Sequence, residues 1–261
     1  MLSTIELEAD ASVETLVERF NACWGNSKVV HITGRRFSDE KAMRAFYDAF
    51  MERAGTPAEV GEDATQGDRN VAQRTGQRWT EIRYDPSIPD AYRHSANAQP
   101  LHTDGSYVPD FPDAAIIYCQ ASAANGGETI FLASEDLVSI MREEAPDMLD
   151  ELSSEVLPHR RSGTEKIRCV IEDDEGDVTL TWNYYCVADD VTEEQATLRQ
   201  RFHDYLRGSE RIGDAVKPVG LRPGECVVWK DERVLHGRNG FDPSRPSERF
   251  MWKGAFASSA A

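Results

Sequence analysis

The sequence predicts a mainly β fold, an antiparallel sandwich with helices packed outside it. Three observations lead there. Short β-type runs recur over most of the chain. The helical patterns are grouped early and on long connections instead of alternating with every strand. The 261 residues are 40% hydrophobic and 29% charged, a balance that supplies one well-filled core.

Taken in order, Val13, Leu16, Val17, Phe20 and Trp24 recur at helical spacing and predict an amphipathic helix over Val13–Trp24. Val29–Ile32 reads as a short buried strand. Ser38 is positioned to cap a second helix, with Asp39 and Glu40 at the positive end of its dipole. Met43, Phe46, Tyr47 and Phe50 form its buried stripe, and Gly55-Thr56-Pro57 ends it. Ala58–Asn70 is polar and contains glycine, a loop; Arg74, Arg78 and Trp79 behind it are candidates for a lid. Strands are expected at Trp79–Tyr84, Ala114–Gln120, Thr129–Leu132, Lys166–Ile171, Val178–Val187, Glu225–Trp229 and Arg249–Phe256. Helices are expected at about Glu135–Leu152 and Thr192–Leu206, the second opened by the capping-box pattern Thr192-x-x-Gln195. No internal repeat, low-complexity tract or dividing linker is present. The economical reading is one domain over residues 1–261, with amino-terminal helices at about 13–55 and a β core at about 70–257.

Charge narrows the partners. A formal net charge of −17, from 46 acidic and 29 basic residues, repels polyanions, so no nucleic acid is expected. No apolar run approaches the roughly 18 residues a membrane span needs, and the first residues lack a basic segment followed by an apolar one. The expected setting is cytoplasmic and the expected partner a small molecule; oligomeric state stays open. The five cysteines, Cys23, Cys119, Cys169, Cys186 and Cys226, have no C-x-x-C spacing and fit a reducing compartment.

Of six histidines, only His102 has an aspartate two positions later, in Leu101-His102-Thr103-Asp104-Gly105. Side chains two apart in an extended segment point to one side, so His102 and Asp104 can reach one ion. A third ligand must then come from a distant part of the fold, completing a 2-His-1-carboxylate site with open positions. Alone, the pattern also describes a polar loop residue before an Asp-Gly turn.

The surrounding motifs decide between these. His102-Thr103-Asp104-Gly105-Ser106-Tyr107, Gly126-Gly127-Glu128-Thr129, and Pro223-Gly224-Glu225 through Trp229 to Leu235-His236-Gly237-Arg238 occur in order, and Arg249 follows His236 by 13 positions. Over roughly Pro100–Phe256 the chain resembles the TauD / clavaminate synthase-like family of Fe(II)/2-oxoglutarate-dependent dioxygenases, including the carbapenem synthase type. The resemblance implies a distorted double-stranded β-helix (a cupin-like jelly roll) with flanking helices. It implies iron ligands His102, Asp104 and His236, with Arg249 and Thr129 holding the far carboxylate of 2-oxoglutarate. A guanidinium suits that task because it stays charged and grips a carboxylate through two parallel hydrogen bonds.

The implied reaction, with O₂, hydroxylates an aliphatic C–H of an amino acid, small acid or natural-product intermediate and releases succinate and CO₂. Desaturation, epimerisation or cyclisation at the same iron site, as in secondary metabolism, is the alternative; halogenation is disfavoured because Asp104 is present. A non-catalytic binding protein with a vestigial jelly roll, and a zinc hydrolase, are further readings. Lys253, Arg238, Tyr107 and Asn183 are the candidate substrate contacts. Lys253 is four positions after Arg249, where relatives carry a cation for an anionic group of the primary substrate.

Overall fold

The computed structural model describes residues 1–59, 78–87, 92–161 and 163–259. Its leading elements are β1 (Leu2–Glu6), α1 (Val13–Trp24), β2 (Val29–Thr33), α2 (Glu40–Ala54), β3 (Gly55–Pro57) and β4 (Thr80–Arg83). Next come β5 (Gln99–His102), β6 (Ala114–Ala121), β7 (Thr129–Ala133), α3 (Ser134–Glu144), α4 (Pro146–Ser154) and two hairpin pairs, β8 (Val156–Arg161) with β9 (Thr164–Cys169) and β10 (Ile171–Asp174) with β11 (Asp177–Leu180). The last are α5 (Glu193–Gly208), α6 (Glu210–Ala215), β12 (Lys217–Val219), β13 (Cys226–Lys230), β14 (Val234–Arg238) and β15 (Phe250–Ser258).

Two sheets face each other. The major one runs β1-β2-β13-β6-β15-β3 with β4 also on β15; the minor one runs β12-β7-β14-β5. Side chains alternate along each strand, and that alternation sorts the apolar residues into three layers. Ala115, Ile117, Cys119, Val227, Trp229 and Met251 of the major sheet meet Phe131 and Val234 of the minor sheet between the two. The intervening residues Ile116, Tyr118, Cys226 and Val228 turn outward onto α1 and α2. On the far side, Leu132 and Leu235 of the minor sheet pack beneath α3, α4, α5 and the two hairpins. This is the expected mainly β fold with helices outside it.

Local departures have local causes. The cap of α2 is Asp39, not Ser38: its carboxylate accepts Ala42 N at 2.8 Å while Ser38 donates its hydroxyl to Asp39. The helix expected over Glu135–Leu152 breaks into α3 and α4 at Ala145, because Pro146 has no N–H to continue the ladder and favours a first helical position. The Lys166–Ile171 run divides between β9 and β10 at Val170. The Val178–Val187 run leaves its strand after Leu180, where Asn183 Oδ1 accepts Tyr185 N at 3.1 Å and sets a 3-10 turn. Thr192 and Gln195 form the expected capping box of α5. All five cysteines are free thiols.

Candidate active site

Strand register brings the site together. His236 of β14 lies opposite His102 of β5 and opposite Phe131 of β7, and Arg238 lies opposite Thr129. Residues directly opposite share a face, so His102, His236 and Thr129 join Phe131 on the interior face of the minor sheet. The imidazole rings of His102 and His236 are 4.2 Å apart. Asp104 follows in the 3-10 turn Asp104–Tyr107, its Oδ1 3.6 Å from His102 Nε2 and 3.5 Å from His236 Nε2. One donor atom from each of the three residues falls within 4.8 Å of the others.

The donor chemistry suits a divalent metal. The Pro100 carbonyl accepts from His102 Nδ1 at 2.9 Å, and Gln99 Nε2 lies 3.3 Å from His102 Nε2 as a donor. A carbonyl can only accept, so the proton sits on Nδ1 and the Nε2 lone pair accepts from Gln99 or is free to ligate. Burial pushes His236 down to about 4, so its imidazole is neutral at neutral pH. Burial opposes the charge of Asp104, yet Lys253 and then His236 hold it well below the usual carboxylate range. Asp104 Oδ2 and His236 Nδ1 are buried without a hydrogen-bond partner among the described residues.

The facing wall is cationic. Arg249, at the start of the last strand, is only 3% exposed. Its Nε donates to Gly127 O at 2.8 Å, and among the described residues no carboxylate forms a salt bridge with it. Gly127 is required here: its φ is +75°, and a Cβ would lie 3.0 Å from Arg249 Cδ. Burial, then the neighbouring Arg238, pushes Arg249 down to about 9, still a cation at neutral pH. Arg249 lines a cavity of about 350 Å³ together with Gly126, Gly127, Glu128, Leu221 and Met251. Lys253 of β15 directs Nζ onto Asp104 Oδ1.

The family described as taurine catabolism dioxygenase TauD, TfdA family matches residues 3–254. The chain belongs to the TauD/TfdA family. A uridine-5'-phosphate dioxygenase of Amycolatopsis sp. is 26% identical over 191 residues, 69% of this chain and 68% of that protein. A trimethyllysine dioxygenase of Meyerozyma guilliermondii is 24% identical over 157 residues, 55% of this chain and 39% of the relative. Among solved structures, an asparagine oxygenase with Fe(II), 2S,3S-3-hydroxyasparagine and succinate superposes with TM-score 0.70 at 14% identity, covering 95% of this chain and 79% of the other. The non-haem iron oxygenase OrfP with Fe and alpha-ketoglutaric acid gives 0.67 at 13%, covering 94% and 80%.

This TauD/TfdA member is a non-haem iron dioxygenase dependent on 2-oxoglutarate and O₂. Among the described residues no helix is long and apolar enough to cross a membrane. Arg238, Asn183 and Trp79, also singled out in the sequence, are engaged by other parts of the chain. Arg238 is 3% exposed and sends Nη2 to the carbonyls of Ser95 and Asn97 at 2.8 and 2.6 Å, and of Tyr92 at 3.3 Å. It braces the 92–97 segment, and burial pushes it down to about 10. Asn183 spends its side-chain oxygen on the Tyr185 turn, and Tyr107 is half-buried. Trp79 is no part of a lid: it packs edge-on against Tyr118 and donates to Asp48 at 2.7 Å, while Arg78 pairs with Glu52. Arg74 and the loop segment 60–70 lie outside the described residues.

Sequence reasoning missed Asp231. It opens the 3-10 turn joining β13 to β14, is fully buried, and accepts Asp104 N at 3.0 Å and Gly105 N at 2.8 Å. Burial and the charge of Asp104 push its carboxyl up to about 7. The signal in the sequence was slight, a carboxylate two positions after the apolar run Cys226–Trp229.

Proposed function

We propose that His102, Asp104 and His236 hold ferrous iron, that Arg249 with Thr129 anchors the far carboxylate of 2-oxoglutarate, and that the enzyme hydroxylates an aliphatic C–H of a small anionic molecule. The observation that carries this reading is the convergence of two imidazole nitrogens and one carboxylate oxygen within 4.8 Å. The guanidinium of Arg249, buried with no salt bridge among the described residues, supports the keto-acid role, since a buried charge calls for a counter-charge. Ferrous iron bound there supplies O₂ activation coupled to decarboxylation of the keto acid. The chain's own residues do the remaining work. His102, His236 and Asp104 would hold the ion, and Arg249 would fix the direction in which the keto acid lies. The apolar layer of Phe131, Val234 and Trp229 shields the site from water.

Lys253, beside Asp104, is the proposed contact for an anionic group of the primary substrate. The relatives and neighbours named above act on, or hold, uridine-5'-phosphate, trimethyllysine and hydroxyasparagine, each bearing a phosphate or carboxylate. Desaturation, epimerisation or cyclisation needs the same site with the substrate radical placed differently. The free thiols accord with a cytoplasmic enzyme and the continuous layers with one catalytic domain. A panel of amino acids, small organic acids and nucleoside monophosphates, scored for succinate with Fe(II), 2-oxoglutarate and O₂, tests the reading. A product heavier by one oxygen identifies hydroxylation, and loss of two hydrogens identifies desaturation. Succinate formation that survives His102→Ala sinks the proposed site.

A further inference from the structure

Two parts of the chain more than a hundred residues apart deliver the candidate ligands, and one side chain lies between them. The 3-10 turn Asp104–Tyr107 has orphan N–H groups at its start, as any helical turn does. Thr103, in the capping position, makes no capping bond. Its hydroxyl accepts from Trp182 N at 3.1 Å instead. The turn is capped from outside, by Asp231: one carboxylate oxygen accepts Asp104 N and the other accepts Gly105 N. The oxygen that takes Asp104 N also lies 3.9 Å from His236 Nδ1, beyond hydrogen-bond length, and that nitrogen is buried with no hydrogen-bond partner among the described residues. An imidazole that ligates through Nε2 carries its proton on Nδ1 and needs an acceptor there.

We infer that Asp231 is a positioning residue for this site, clamping the Asp104 turn through two backbone N–H groups and serving as the acceptor for His236 Nδ1. The inference rests on the iron-site reading above. Asp231→Asn preserves shape but presents an NH₂ to one of the two backbone donors, so one clamp bond is lost. The experiment titrates Co(II) into wild-type protein, His102→Ala and Asp231→Asn, following the visible absorption of the bound ion at a temperature well below each protein's melting transition. The expected result for Asp231→Asn is Co(II) affinity weaker by roughly 10–100-fold with an altered absorption band. A residue serving only the scaffold would lower the melting temperature and move neither readout. Wild-type affinity and spectrum in folded Asp231→Asn therefore overturn the inference.

Should that variant fail to fold, histidine nitrogen NMR of Zn(II)-loaded wild-type protein decides instead. His236 should carry its proton on Nδ1, and that proton should exchange slowly with solvent; a fast-exchanging proton, or one on Nε2, overturns the inference. Failure of the iron-site reading looks different. Wild-type protein would then take up no Co(II), or His102→Ala would bind it equally well, and both proposals fall.

Discussion

The two walls of the sandwich contribute opposite chemistry. The minor sheet supplies His102 and His236, which offer lone pairs, and burial keeps His236 uncharged; the cation on the same sheet, Arg238, is turned onto the carbonyls of the 92–97 segment. The major sheet supplies Arg249 and Lys253, which offer protons and positive charge. Asp104, on the turn after β5, is where the walls meet, facing both imidazoles and Lys253. A cleft so divided can hold a cation against one wall and an anion against the other. A keto acid bound to a metal must satisfy both at once.

If the division is real, damage to the walls should be separable. His236→Ala is expected to have the largest effect, removing metal binding and reducing substrate-dependent succinate formation to background. Arg249→Ala should leave Mn(II) affinity intact and weaken 2-oxoglutarate by about 2–5 kcal/mol, roughly 30-fold to several thousandfold. Calorimetric titration of each ligand into each variant checks both. Equal loss of metal and keto-acid binding in Arg249→Ala would break the comparison.

How much of this was readable beforehand depended on whether a signal was local. α1 and α5 were legible because apolar spacing and a capping box are properties of adjacent residues. The His102, Asp104 and His236 set was legible only through ordered motifs, since no periodicity brings position 102 next to 236; strand register does. Arg238 was misjudged because an arginine two residues beyond His236 reads the same whether it faces a ligand or three backbone carbonyls. Asp231 was invisible among 46 acidic residues, as its distinction is total burial beneath a turn formed 127 positions earlier. Lid assignment of Trp79 failed likewise, because its partners Asp48 and Tyr118 come from separate elements.

Behind the minor wall lies an acid-sensitive support. His159 of β8 is fully buried, with Nδ1 near Leu157 O at 3.2 Å and Nε2 unpaired among the described residues. Burial pushes it down to about 4 from an ordinary 6.5. The unfolded chain therefore binds the extra proton first: this contribution to stability is complete above about pH 6.5 and is lost as pH falls from there through about 4. The loss is at most about 3 kcal/mol. Denaturant unfolding at pH 7 and pH 5 should show a smaller acid penalty in His159→Phe than in wild type, whatever that variant does to stability at pH 7. Identical penalties would mean that His159 does not set the acid limb.

Lys253→Met gives the smallest expected change and the finest test of the divided cleft, because its two effects have opposite signs. The ammonium touches the same Asp104 oxygen that both imidazoles face, so it competes with a metal cation for that carboxylate. Removing it should leave Mn(II) affinity unchanged or tighter. A lysine contact to an anionic substrate group is a charge-assisted hydrogen bond worth about 1.5–3 kcal/mol, so KM for such a substrate should rise roughly 10–150-fold. Affinity for 2-oxoglutarate, anchored on Arg249, should not move. Weaker metal binding in this variant would show that Lys253 supports the metal side of the cleft, and the two walls would no longer be chemically distinct.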